Sequence, residues 1–182
     1  MTRIILLAAG ASRRFGSQKL LASFQGKPLY TWAFQAAADS GCPVTVVTRQ
    51  GLLDQQAKEW GFSCVLAPEG EGQAHSVRLG TASACKGENL CFFVCDQPHF
   101  PGCGLRQFIE GFEKSGLPLG RVRAEGKMGS PTVFSPSLAE ELMALTGDEG
   151  GRSVFKGREG ETYYHEVPFQ WLQDYDRPWQ NT

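Results

Sequence analysis

No stretch of this chain is apolar for long enough to cross a bilayer. The run Ile4-Ile5-Leu6-Leu7-Ala8-Ala9 stops at Gly10, whereas a spanning helix needs about 20 such residues. No cleavage site precedes Gly10, so a cytoplasmic location is expected. Charge of one sign is lacking too. The 18 Lys and Arg against 19 Asp and Glu leave a formal net charge of -1, with no long basic run. Neither nucleic acid nor a membrane surface is therefore an expected partner, and small-molecule work is. The six cysteines, Cys42, Cys64, Cys85, Cys91, Cys95 and Cys103, form no C-x-x-C pair. Several fall in apolar, strand-like runs, which favours buried free thiols over a disulfide or zinc framework. Two phosphate-binding signatures are missing as well. Gly16 is followed by Ser17-Gln18-Lys19 where a G-K-[ST] run would be needed, and G-x-G-x-x-G does not occur. Kinase and dehydrogenase assignments lose support accordingly.

The 182 residues, 41% of them hydrophobic, suffice for one globular domain over 1–182 with a sizeable core. Residues 4–8 are continuously apolar, as in a strand buried on both faces of a parallel sheet. Leu29, Trp32, Ala33, Ala36 and Ala37 form a helical stripe within 28–40, with Gly41 as its C-cap. Strands are expected at 43–48, 62–66 and 90–95. Helices are expected around Leu53, Ala57 and Trp60, over 73–85, and around Leu105, Phe108, Ile109 and Phe112. This alternation predicts an α/β fold: a Rossmann-like three-layer sandwich on a mostly parallel sheet. After Gly116 the rhythm changes. Strands at 119–124 and 131–134 flank a connection at 125–129, a short helix carries Leu138, Leu142 and Leu145, and a last strand covers 162–167. This half reads as a small β elaboration of the same domain.

The loop after the first strand, Ala8-Ala9-Gly10-Ala11-Ser12-Arg13-Arg14-Phe15-Gly16-Ser17-Gln18-Lys19, lies where open α/β sheets bind ligands. Its small residues permit close backbone approach, and Arg14 and Lys19 offer cations to phosphate oxygens. By composition alone it is an ordinary βα connection. Asp96 ends an apolar strand at the same sheet edge, where a carboxylate can hold Mg²⁺ beside phosphate oxygens. Asp174 and Asp176 are spaced to share one side of an extended segment.

The run Leu7 to Leu21 resembles the signature L-A-A-G-x-S-x-R-M-G-x-x-K-x-L of the MobA-like nucleotidyltransferases, with Phe15 in place of Met. Val94-Cys95-Asp96-Gln97-Pro98 is similar to that family's L-x-D-Q-P. Gly147-Asp148-Glu149-Gly150-Gly151-Arg152 and Asp174-Tyr175-Asp176-Arg177-Pro178 resemble the G-D-x-G-A-R and D-I-D-T-P segments of its molybdenum cofactor cytidylyltransferase branch. The matches keep their order along nearly the whole chain.

The resemblance implies a Mg²⁺-dependent enzyme in which an acceptor phosphate attacks the α-phosphorus of a nucleoside triphosphate and pyrophosphate leaves. It implies catalytic roles for Arg14, Lys19 and Asp96. Nucleotide contacts fall to Leu7, Ala8, Ala9, Gly10, Ala11, Lys19, Ser76 and Asp96, and metal ligation to Asp96 with Asp174 or Asp176. Ser76 matches the family's G-x-x-x-S-[LI] turn; Gln73, Ala74 and His75 fit it less well. CTP is the expected donor and a molybdopterin-type molecule the expected acceptor, with a molybdenum hydroxylase as recipient. Gly129-Ser130-Pro131 departs from the branch's G-H-P and leaves the acceptor less defined. Arg121, Arg123 and Arg152 are candidates for binding an anionic acceptor. A GTP-using guanylyltransferase and a noncatalytic nucleotide or cofactor carrier are the competing readings.

Overall fold

A computed structural model describes residues 1–10, 15–16, 18–148 and 150–175. Strands β1 (Thr2–Leu7), β4 (Val44–Thr48), β5 (Ser63–Leu66), β6 (Asn89–Val94), β7 (Leu119–Ala124), β8 (Lys127–Phe134) and β9 (Thr162–Glu166) form a seven-stranded sheet in the order β5-β4-β1-β6-β8-β7-β9. All pairings are parallel except those of β8, which runs antiparallel between β6 and β7.

Successive side chains of a strand point to opposite faces, and the sheet's apolar residues divide between two cores. Ile4, Leu6, Val46 and Phe93 pack against α1 (Tyr30–Ser40), α2 (Asp54–Glu59) and α4 (Gly102–Ser115) through Phe34, Ala57 and Phe108. Ile5, Val47 and Phe92 face α3 (Gln73–Ala82) and α5 (Ala139–Met143) through Val77 and Leu142. The expected three layers follow from this doubly buried sheet. Gly41 does end α1, in the left-handed conformation with φ 77°.

Two local features were not expected. A small hairpin of β2 (Ser23–Phe24) and β3 (Lys27–Pro28) follows a 3-10 turn at Lys19–Leu21; strands this short carry no readable alternation. The connection expected at 125–129 is shorter than that, because β8 already starts at Lys127. Glu125 and Gly126 alone make the turn, with φ of 49° and 79°, the two-residue geometry that matches strand twist.

The expected free thiols are free, but only Cys91 and Cys95 are buried. Cys42 and Cys64 are half-buried, and Cys85 and Cys103 are exposed because they sit at the end of a turn and on the outer face of α4. Among the described residues no helix is long and apolar enough to cross a membrane.

Candidate active site

From β1 the chain passes to β4 and β5 on one side, then returns to place β6 on the other. The crevice at such a reversal opens at the carboxyl ends of the strands. Here those ends are Leu7 and Val94, which are register partners. Ala8 remains attached to β4 through its N–H, which donates to the Val47 carbonyl at 2.8 Å. The 3-10 turn Lys19–Leu21 brings Lys19 to this same edge. Lys19 is 8% exposed, and its Nζ donates to Asp96 Oδ2 at 2.7 Å. A lysine this buried requires an anionic partner, so residues 77 apart in sequence meet at the sheet edge.

A cleft of about 560 Å³ lies over this ion pair. Leu7, Ala8, Ala9, Gly10, Lys19, Ser76 and Asp96 all line it. Ala11 and Arg14 lie outside the described residues. The far wall comes from Gly72 and Gln73 at the start of α3, together with Asp148. Ala74 N–H donates to the Gly147 carbonyl at 3.2 Å, fastening the third sequence motif onto that helix. Gly72 permits the approach, since a Cβ there would lie 2.6 Å from the Gly147 oxygen. His75 lines neither cleft; its Nδ1 lies 3.0 Å from Arg78 Nη2, and Arg78 also donates to the Leu145 carbonyl.

A wider cleft of about 940 Å³ adjoins the first and shares Leu7, Gln73, Val94 and Asp96 with it. Arg121, Lys127, Arg152, Ser130, Gln97 and Asp174 line this second space. Burial lowers the Arg121 pKa, and the nearby charge of Arg152 lowers it further. Arg123 does not join them. It meets Glu166 at 2.6 Å and covers the Tyr164 ring; the pairing of β7 with β8 shifts register between Arg121 and Arg123, so the two arginines part although they are two residues apart. Asp174 reaches the cleft beside Tyr175, which packs on Phe24 with ring centroids 4.7 Å apart and hydrogen bonds His99 Nε2 at 2.9 Å. Asp176 lies outside the described residues, and among those described no three His, Cys, Asp or Glu side chains gather as a metal site.

Residues 4–166 match the MobA-like NTP transferase domain. The chain belongs to this family. Among curated relatives, a probable molybdenum cofactor guanylyltransferase of Bacillus licheniformis is 36% identical over 98 residues, 52% of this chain and 48% of that protein. The chain thus aligns with about half the length of that relative. Purine catabolism protein PucB of Bacillus subtilis is 25% identical over 171 residues, covering 84% of this chain and 79% of that one. The crystal structure of Rv0371c from Mycobacterium tuberculosis superposes with a TM-score of 0.83 at 21% identity, over 97% and 94% of the two chains. Its manganese complex gives 0.75 at 18% identity, over 92% and 88%. At these identities the structures establish a shared fold.

Two residues at this candidate site carry contacts that the sequence motifs did not assign. Arg49, directly after β4, donates from Nη2 to the Gly10 carbonyl at 3.3 Å and to Gln18 Oε1 at 3.0 Å, and its Nη1 lies 3.5 Å from Glu69. It thereby ties both ends of the first loop to the turn before α3. The only available signal was a charge at the end of a β-branched strand on the ligand edge. Gln73, which fitted the family pattern poorly, lines both clefts.

Proposed function

We propose that this chain, as one MobA-like domain over 1–182, transfers CMP from CTP to a phosphate of a molybdopterin-type acceptor and releases pyrophosphate. The observation that carries the reading is the junction of two clefts at Asp96, with Lys19 on its carboxylate. One cleft has the small-residue lining that a nucleotide needs; the other offers Arg121, Lys127 and Arg152 to an anionic acceptor.

In this scheme Ala8, Ala9 and Gly10 meet base and sugar through their backbone, and Ser76 contributes from α3. Lys19 balances charge on the triphosphate, with Arg14 assigned beside it by resemblance. An acceptor phosphate oxygen bonds to the α-phosphorus while the bond to the α–β bridging oxygen breaks, and pyrophosphate carries the charge away. Such a transfer rests on positioning and electrostatic stabilisation and requires no nucleophilic side chain. Asp96 and Asp174 line one cleft and offer hard oxygen donors. That donor set fits Mg²⁺, which typically takes one or two carboxylates and completes its shell with phosphate oxygens and water; Asp176 is a third candidate. When bound, the ion stabilises charge on the transferring phosphate. The manganese complex of the mycobacterial relative supports a divalent cation. The expected setting is the cytoplasm, with a molybdenum hydroxylase as recipient of the product.

Ala8-Ala9-Gly10, Gly147 to Arg152 and Asp174-Tyr175-Asp176 support CTP. The relative named as a guanylyltransferase favours a second reading, in which GTP is the donor. Pyrophosphate release with Mg²⁺ and molybdopterin, offering CTP, GTP, ATP and UTP in turn, separates them. Release with CTP alone is expected, and Asp96→Asn should lower it by about 100-fold or more. Preference for GTP would establish the second reading, and failure to bind any nucleotide would overturn the site.

A further inference from the structure

The described arginines fall into two groups. Arg3, Arg49, Arg123 and Arg158 each meet a carboxylate, and Arg78 and Arg106 donate to backbone carbonyls. Among the described residues, Arg121 and Arg152 meet neither, and both line the wider cleft. The Arg121 guanidinium covers the Phe155 ring at 4.7 Å, and its Nε is buried with no hydrogen-bond partner. Two further buried polar atoms without partners, Ser130 Oγ and Gln97 Oε1, belong to the same cleft lining. Gln97 is only 5% exposed. Native proteins leave few buried polar atoms unsatisfied; three in one cleft, beside two unneutralised cations, describe the complement of a ligand.

Strand register orders these groups. Arg121 and Phe92 both pair with Thr132, whereas Ser130 lies two residues along β8 toward the Asp96 end. Phe92 precedes Asp96 by four residues, roughly 13 Å of extended chain, and the guanidinium folds onto Phe155. Arg121 therefore sits well back from the Lys19–Asp96 centre. We propose that Arg121 and Arg152 form an oxyanion subsite on the floor of the wider cleft, binding an anionic group of the acceptor other than the phosphate that reacts. Ser130 donates to the same anion, and Gln97 Oε1 accepts from an N–H or O–H of that molecule. Only the naming of the ligand as the acceptor rests on the transferase reading.

Selenate is a suitable tetrahedral probe, located in crystals by anomalous scattering and titrated calorimetrically with CTP and Mg²⁺ saturating. It should seat on Arg121 and Ser130. Arg121→Met should weaken it by about 10- to 100-fold, as expected for lost charge-assisted hydrogen bonds, while CTP affinity stays unchanged and reports an intact fold. Should that variant not fold, Arg152→Met and Ser130→Ala carry the same test with smaller losses. Selenate absent from Arg121, or bound undiminished by the variants, would overturn the subsite. If selenate seats there but no nucleotide is turned over, the transferase reading fails and the subsite stands. If transfer proceeds and Arg121→Met leaves the acceptor KM unchanged, the subsite alone fails.

Discussion

Replacing Gly72 by alanine should weaken both the fold and the proposed nucleotide site, and the structure sets the size of the effect. The backbone there, φ -71° and ψ 172°, is open to any residue. Removing glycine from the unfolded chain would therefore favour folding by about 0.4–1 kcal/mol. The new Cβ, however, meets the Asp148 carboxylate and lies 2.6 Å from the Gly147 carbonyl oxygen. Forcing extra volume into such a contact costs about 1–3 kcal/mol, leaving a net loss of about 1–2 kcal/mol. For a domain of this size that lowers Tm by about 3–6 °C. Because Gly72 and Asp148 both line the smaller cleft, the KM for the nucleotide should rise by about tenfold through misplacement of the wall. Asp148→Ala added to Gly72→Ala removes the side-chain contact but not the backbone one, so rescue should be partial. Calorimetric unfolding and nucleotide titration of the two variants beside the parent protein read this directly. A Gly72→Ala protein with unchanged or raised Tm and ordinary KM would refute the packing of the Gly147-Asp148 turn on α3.

Glu88→Gln should cost about 2–3 kcal/mol in urea unfolding at pH 7, since Glu88 accepts from Arg3 Nε at 2.7 Å, Arg3 Nη2 at 3.0 Å and Cys85 N–H at 2.8 Å. The Arg3 hydrogen bond holds the Glu88 pKa below 4.5, so the pair's stabilisation is present above that value and drains as pH falls through the folded pKa; the variant should lack this part of the acid dependence. Arg49→Met should raise the nucleotide KM by about tenfold with little change in Tm, because it releases the first loop from its tether while leaving the core intact; an unchanged KM would dismiss the tether. In thiol titration Cys85 and Cys103 should react first and Cys42 and Cys64 more slowly. Cys91 and Cys95, fully buried with pKa values raised by desolvation, should wait for unfolding, and rapid labelling of either would contradict the sheet packing.

The sequence by itself determined the α/β alternation, the helical stripe before Gly41, the sheet-edge positions of Lys19 and Asp96, and the family, because each is written in periodicity or contiguous chemistry. The β2–β3 hairpin and the early start of β8 were illegible, since two-residue strands and the run Lys127-Met128-Gly129-Ser130 lack alternation and gain their hydrogen bonds only from a partner strand. Only the tertiary structure decided that Lys19 pairs with Asp96, that Asp148 lines the same cleft as Gly10, that Arg49 tethers the first loop, and that Arg121 faces the wider cleft while Arg123 does not. The physical reason is that these contacts join residues far apart along the chain. Which of them meet depends on where β6 returns beside β1, on the register shift between Arg121 and Arg123 in β7, and on which charges burial forces to find a partner.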